Sequence, residues 1–378
     1  MKRKTFLKRF VLSLLVTVTL VNMLAFNSFA VVYSDTSSHW AKTAIDKMTD
    51  LEIIQNSSST HYYPNNNYTR KEVAYSICMM YKERNLPSSP QPFSDVSTSN
   101  PYSKYIKWVY DANVMSGTGS NNFSPDAVIT KQDLCVALYK LYANRLGIPI
   151  YNYYSKVTFS DDAQISSYAK TAVYALQQMG VISGNGGAFN PKSNVTRAIA
   201  ASMFYELWDY GFILSTPQQL QTPNTCWAAS SYIIAKYRYE NSRTMQELIQ
   251  KFKSGNDETL DVDKVCDVAD YATRYNVDHD FVFYQNLVDS TYYNYLIPKV
   301  SVYKPVIIST RSTAVTPATS HSMVLLGYVK HPTDIYQTRL FIYNVADGSY
   351  TWQTYFNYLV GHMTCDPNRI AYVATYSY

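Results

Sequence analysis

Cys226 and His321 are the two side chains best suited by type and position to act together, one as a thiolate nucleophile and the other as its base. Cys226 follows the turn-forming run Thr222-Pro223-Asn224-Thr225 and opens an apolar period through Ala229, Tyr232, Ile233, Ala235 and Tyr237. That period predicts a helix with the cysteine in its first turn. There the helix dipole and free N–H groups favour thiolate over thiol. Of the six histidines, His39 and His61 lie in an N-terminal repeat region, and His279 and His331 in polar, loop-like stretches. His321 instead follows a Ser/Thr-rich turn and begins the apolar run Ser322-Met323-Val324-Leu325-Leu326-Gly327-Tyr328. The next such run, Leu340-Phe341-Ile342-Tyr343, ends at Asn344. His362, in a polar stretch beyond the main strands, is a rival base.

These residues need a scaffold. Thr244 and Glu247 have capping-box spacing, predicting a helix to about residue 252. A second helix is expected over 261–275, a strand over 281–283 and a helix from Ser290 to about 302–305. Pro305-Val306-Ile307-Ile308-Ser309 reads as a further strand. The segment is therefore a helical half followed by a strand-rich half. The cysteine helix and the histidine strand are expected to meet in the cleft between them.

The string from Gln221 to Ala229 and the string from Ser320-His321 to Gly327-Tyr328 resemble a papain-like cysteine peptidase of the compact bacterial kind, grouped with the C39-like and C70 peptidases. The resemblance covers about 217–378. It implies Cys226 as nucleophile, His321 as general base and then acid, and Asn344 as the group orienting the imidazole. It also implies an oxyanion hole of Gln221 with the Cys226 N–H, and Trp227 as a shield. The 95 residues from Cys226 to His321 are fewer than papain's usual span of about 130–150. Such families often place Asp at the third position, so Asp347 is a rival to Asn344; Ser320 stands where Gly often precedes the histidine.

The N-terminal half repeats itself three times. Tyr33-Ser34-Asp35, Phe93-Ser94-Asp95 and Phe159-Ser160-Asp161 are followed at matched distances by Thr69-Arg70, Thr130-Lys131 and Thr196-Arg197. Each Thr opens a helix whose apolar residues fall at i, i+4 and i+7, as in Val73, Ile77 and Met80. Glu72 and Asp133 complete capping boxes, whereas the third copy has Ile199 there. An earlier helix precedes each, ending near Gly117 and Gly184 in copies two and three, before loops at Tyr63-Pro64, Phe123-Ser124-Pro125 and Phe189-Asn190-Pro191. One unit cannot bury its apolar side alone, so three are expected to pack together.

With the Trp40 and Trp108 positions, these motifs resemble the S-layer homology domain in its usual set of three, over 31–212. The resemblance implies non-covalent anchoring to an anionic secondary cell-wall polysaccharide. The residues it points to are Asp35, Arg70, Asp95, Trp108, Lys131, Asp161 and Arg197. Among the three cations, Lys131 lacks a bidentate fork, and its groove is expected to bind weakest.

Residues 1–30 read as a signal peptide: a basic start, an apolar run over 10–26 and a small-x-small cleavage site at Ser28-Phe29-Ala30. Its five basic residues account for the whole formal charge of +5. A near-neutral mature chain gives no indication of nucleic acid, and no span is expected in it. Five cysteines are too few for a disulfide framework. Cys78 and Cys135 read as core residues, and Cys266 and Cys365 as bystanders. No cluster has metal-ligand spacing, and no cofactor is expected. The expectation is thus a multidomain chain: an all-α triple repeat with pseudo-threefold packing (31–85, 91–146, 157–212), then an α+β papain-like cysteine peptidase domain (217–378). It is expected to be secreted to the wall of a Gram-positive-type bacterium and to act on a peptide or protein, the alternatives being a catalytically inactive surface binding protein or a peptidoglycan amidase or acyl transferase on the same fold.

Overall fold

The computed structural model describes residues 33–81, 86–87, 91–183, 187–214, 218–222, 225–238, 242–252, 265–273, 278–284, 290–301, 305–312, 319–355 and 370–377. Residues 1–30, expected to be a signal peptide, and the residues around His362 and Cys365 lie outside them. Each repeat supplies two helices: α1 (Lys42–Asp50) and α2 (Arg70–Tyr81), α3 (Ser103–Asp111) and α4 (Lys131–Tyr139), α5 (Ser167–Gln178) and α6 (Arg197–Tyr210). The caps follow the sequence. Glu72 accepts from Thr69 N at 2.8 Å, and Thr130 and Thr196 accept from the N–H groups of Asp133 and Ile199. Helices α3 and α5 stop well before Gly117 and Gly184. The backbone turns left-handed at Asn113 (φ +55°) and Gly180 (φ +85°), and the following amides fold back onto Val109 O and Leu176 O.

The three repeats close on one another through the backbone. Ile129 N donates to Tyr68 O, Tyr68 N to Val195 O and Val195 N to Ile129 O, at 2.8–3.0 Å. Just outside this ring each second helix reaches its neighbour's loop. The amides of Arg70, Lys131 and Arg197 donate to Ala127, Ser193 and Asn66. Their side chains continue the contact to the carbonyls of Phe123, Phe189 and Tyr62 and lie 4.5–4.7 Å over those rings. The Ser-Asp motif sets those loops. Asp35, Asp95 and Asp161 each accept two backbone N–H groups, from Tyr62 and Tyr63, Phe123 and Ser124, and Phe189 and Asn190. The second residue of each pair is left-handed.

The C-terminal half is an antiparallel sheet between helices. Cys226–Arg238 forms α7, Met245–Phe252 α8, Val265–Thr273 α9 and Ser290–Ser301 α10. The strands are β1 (Gly211–Ile213), β2 (Asp278–Tyr284), β3 (Val306–Ser312), β4 (Thr319–Val329), β5 (Arg339–Tyr343), β6 (Tyr350–Thr354) and β7 (Ile370–Ser377), in the order β2-β7-β3-β4-β5-β6 with β1 on β4. His279, expected in a loop, lies in β2, paired with Tyr376. The period-2 pattern buries the sheet twice. Ile307, Val324 and Leu326 pack with α7 and α9, while Val306, Ile308 and Leu325 pack with α10 and the core of the repeats.

The two halves are therefore joined by a shared core. Helix α6 runs straight into β1, Trp208 Nε1 donates to Ser301 O, Lys330 N to Tyr210 O and Leu214 N to Leu326 O. Lys330 also pairs with Asp209. Gly211 lies so close to β4 that a β-carbon there would stand 2.2 Å from Tyr328 O. Gly211→Ala is expected to cost about 2 kcal/mol by forcing β1 off the sheet. Thermal denaturation of the full chain measures this, and an unchanged midpoint contradicts it.

Candidate active site

Thr225 prepares the place for the cysteine. Its buried hydroxyl donates to Thr222 O (2.7 Å) and accepts from Thr222 N (2.9 Å), closing the turn. Its carbonyl then receives Ala228 N and Ala229 N, so α7 starts with Cys226 in its first turn. The thiol is 7% exposed and packed among Trp227, Ile307 and Val324. Trp227 is buried edge-on to Phe252.

His321 opens the apolar part of β4, and Asn344 is the first residue past β5, two strands joined edge to edge. His321 Nε2 donates to Asn344 Oδ1 at 2.9 Å. That leaves Nδ1 for Cys226, and the two groups perturb each other's proton affinity. Burial would raise the Cys226 thiol. The hydrogen bonds from His321 and from the Ser322 and Trp227 amides outweigh it and hold the thiol below its ordinary value. His321 moves the other way: its bond to Cys226 raises it against the effect of burial, helped by Asn344 and by the charge of Asp347. Opposite shifts in a bonded pair favour thiolate and imidazolium over thiol and imidazole. Cys135 makes the contrast plain. Buried in a helix, its thiol is pushed up to about 12 by desolvation, which outweighs the nearby Lys131 charge.

Asn344 Oδ1 also accepts Ala346 N (3.1 Å), which fixes the amide toward the ring. Asp347, the rival third member, turns its carboxylate to Ser349 N (2.9 Å) and reaches His321 only through its charge. Gln221 is brought beside the same turn, its N–H donating to Val345 O at 2.8 Å. Its Oε1 is buried with no hydrogen-bond partner among the described residues, so that oxygen is not committed to the scaffold.

Residues 213–347 match the family described as papain-like cysteine protease AvrRpt2, and residues 32–74, 92–135 and 158–200 each match the S-layer homology domain. Three S-layer homology domains precede a papain-like cysteine protease domain. The relatives bear on the repeats. An amylopullulanase of Thermoanaerobacterium thermosulfurigenes is 30% identical over 176 residues, 46% of this chain and 9% of the relative. The exoglucanase XynX of Acetivibrio thermocellus is 28% identical over 47% of this chain and 16% of its own length. The S-layer protein sap of Bacillus anthracis is 26% identical over 59% of this chain and 26% of its own. The chain thus spans about a quarter or less of these relatives. The S-layer homology domains indicate association with the cell surface.

Within the S-layer homology domains the seven expected residues are distributed unequally. Arg197 is 5% exposed, donating to Tyr62 O and Gln55 O and paired with Glu72. Arg70 donates to Phe123 O and Ser116 O and borders an open groove of about 380 Å³ with Gly117, Thr118, Asp133, Lys140 and Tyr168. Lys131 is half-buried over Phe189. Trp108 is buried against Tyr81 beneath Arg145, inside α3. Trp40 and Trp108 are not equivalent, which corrects the sequence reading. Counting back equally from the turn residues Ile53, Val114 and Val181, the position of Trp40 is Pro101 in the second domain and Tyr168 in the third. Trp40 and Tyr168 are both well exposed, at 68% and 60%. The exposed Trp40 and Tyr168 were missed as candidates, because Trp108 carries the same letter in a nearby place.

Proposed function

We propose that this chain is a secreted cysteine peptidase held on the cell wall of a Gram-positive-type bacterium. Export uses the segment 1–30, with cleavage after Ala30. The observation that carries the catalytic half is the 2.9 Å bond from His321 Nε2 to Asn344 Oδ1, with Cys226 on the other side of the ring. The Cys226 thiolate attacks the substrate carbonyl carbon, forming a C–S bond as the carbonyl electron pair moves onto oxygen. The Cys226 N–H and the Gln221 amide stabilise that oxyanion. Collapse expels the amine, which takes its proton from His321, and leaves a thioester. His321 then takes a proton from water, whose oxygen displaces the thiolate and releases the acid.

For anchoring, the closed ring of Tyr68, Ile129 and Val195 supports a pseudo-threefold arrangement with three inter-domain grooves. Arg197 is already paired with Glu72, so Arg70 and Lys131 are the cations available to an anionic wall polysaccharide. Lys131→Ala is expected to weaken sedimentation with purified walls several-fold while leaving thermal stability within about 1–2 kcal/mol. Unchanged sedimentation contradicts that role. The whole reading is tested by incubating the full chain with purified walls. Protein should sediment with them, be released when the anionic polymer is extracted, and hydrolyse a general protein substrate under reducing conditions while bound. Failure to sediment overturns the anchoring half, and sedimentation without hydrolysis the catalytic half.

A further inference from the structure

The turn from Asn344 to Ser349 does more than end β5. It is closed by Gly348 N to Asn344 O and Asn344 N to Ser349 O, both at 2.9 Å, and by Asp347 Oδ1 accepting Ser349 N. Three contacts radiate from it toward the catalytic residues. Asn344 Oδ1 holds His321, Val345 O holds the Gln221 amide, and Gly348 receives Leu220. Gly348 has φ +74°, and a β-carbon there would lie 2.9 Å from Leu220 Cδ2 and 3.8 Å from the Tyr343 hydroxyl. Leu220 is 53% exposed, so the core does not explain why it sits there. What it covers is the bare α-carbon of the turn, one residue before Gln221.

We infer that the Asn344–Ser349 turn is a clasp that sets the imidazole partner and the strand before the cysteine in one register, with Gly348 and Leu220 as positioning residues. The inference rests on the Cys226–His321–Asn344 reading and extends it to two residues that touch neither substrate nor reacting atoms. A side chain at position 348 meets both obstacles at once. Its backbone is strained at positive φ, and its β-carbon crowds the end of the exposed Leu220 side chain, which must swing off the turn. Relief of the backbone strain shifts the turn, carrying Asn344 away from His321. The imidazole then loses the partner that fixes its orientation, and Cys226 loses ion-pair support.

The consequence is readable without knowing the substrate. Alkylation of Cys226 by iodoacetamide in the full chain follows thiolate content and is measured by mass spectrometry of the Cys226 peptide. Gly348→Ala is expected to move the acid limb of the rate–pH profile upward by about one unit, about a tenfold loss of rate at acid pH. Adding Leu220→Ala to Gly348→Ala removes the crowding and leaves the backbone strain, so the double variant is expected to keep most of that displacement; a return to the parent's profile would overturn the turn as its cause. Leu220→Ala alone should fold like the parent and keep its alkylation profile, yet lower kcat several-fold with little change in KM, because Gln221 acts only on the oxyanion. That variant decides the matter should Gly348→Ala not fold. A Gly348→Ala profile superposed on the parent's, with that of Asn344→Ala displaced, overturns the clasp and leaves the catalytic reading standing. If the Asn344→Ala profile is also unmoved, both fall. Unchanged kcat in Leu220→Ala overturns that residue's role.

Discussion

Cys226→Ala is expected to lower kcat for peptide hydrolysis by on the order of 10⁶-fold, and His321→Ala by a similar factor, with the double variant scarcely worse than either. The non-additivity follows from the geometry. The thiol is 7% exposed among apolar side chains, and burial alone would hold it protonated. Only the bond to His321 and the Ser322 and Trp227 amides bring it below its ordinary value. Without the imidazole the sulfur keeps only the two amides against burial; without the sulfur the imidazole has nothing to activate but water. Asn344→Ala should cost less, about 10²-fold, because the ring keeps its place on β4 and loses only its orientation. Progress curves on one peptide substrate for the parent and the four variants measure this. Activity in Cys226→Ala within tenfold of the parent would remove the sulfur from the mechanism.

The second large effect lies far from the cleft. Arg197→Ala is expected to destabilise the S-layer homology domains by about 3–5 kcal/mol. In the closed ring of three domains, Arg197 joins the third to the first. Its Nε and Nη2 donate to Tyr62 O and Gln55 O at 2.9 and 2.7 Å, Nη1 lies 3.3 Å from Glu72 Oε1, and the guanidinium covers the Tyr62 ring at 4.5 Å. Removing it leaves carbonyls and a carboxylate facing a void. Glu72 keeps its bonds to Thr69 through the other oxygen, so the loss falls on the domain contact and not on the cap of α2. Arg197→Lys should recover only part, since one ammonium cannot reach carbonyls on both sides as the planar fork does. The midpoint should fall by on the order of 10 °C in a circular-dichroism melt. A shift of one or two degrees would contradict the closed ring as a source of stability. A loss of wall binding in Arg197→Ala would then have to be read beside its stability, which makes Lys131 the cleaner probe of the polymer.

Local signals in the sequence were enough for the elements that carry chemistry. A capping residue three positions before its partner, an apolar period of one helix face and a Pro/Asn turn are all interactions within a few residues. The helices at Arg70, Lys131, Arg197 and Cys226 followed from them. Asn344 could be placed because strand β5 ends in a turn residue. What was not legible depends on partners distant in sequence. Nothing near Arg197 announces that its guanidinium is buried against a loop 135 residues away. Nothing near Gly211 shows that a strand from the repeats completes the peptidase sheet, because its reason for being glycine is the carbonyl of Tyr328. The early ends of α3 and α5 were missed because a left-handed Asn113 carries little signature, and the two tryptophans were equated by letter and not by place in the fold. For Asp347 the sequence left a choice that only distance resolves: it serves the turn, while Asn344 touches the ring.

The central claim is that Cys226 and His321 exist as a thiolate–imidazolium pair. The pH dependence of Cys226 alkylation in the full chain tests it most directly. The cysteine is held below its ordinary value and the histidine above its own. The rate should therefore rise at a pH below that of a free thiol, and change again only where His321 gives up its proton, above the ordinary imidazole value. In Asn344→Ala the first rise should move toward higher pH. A single rise centred near the ordinary thiol value of about 8.5, the same in both proteins, would contradict the pair.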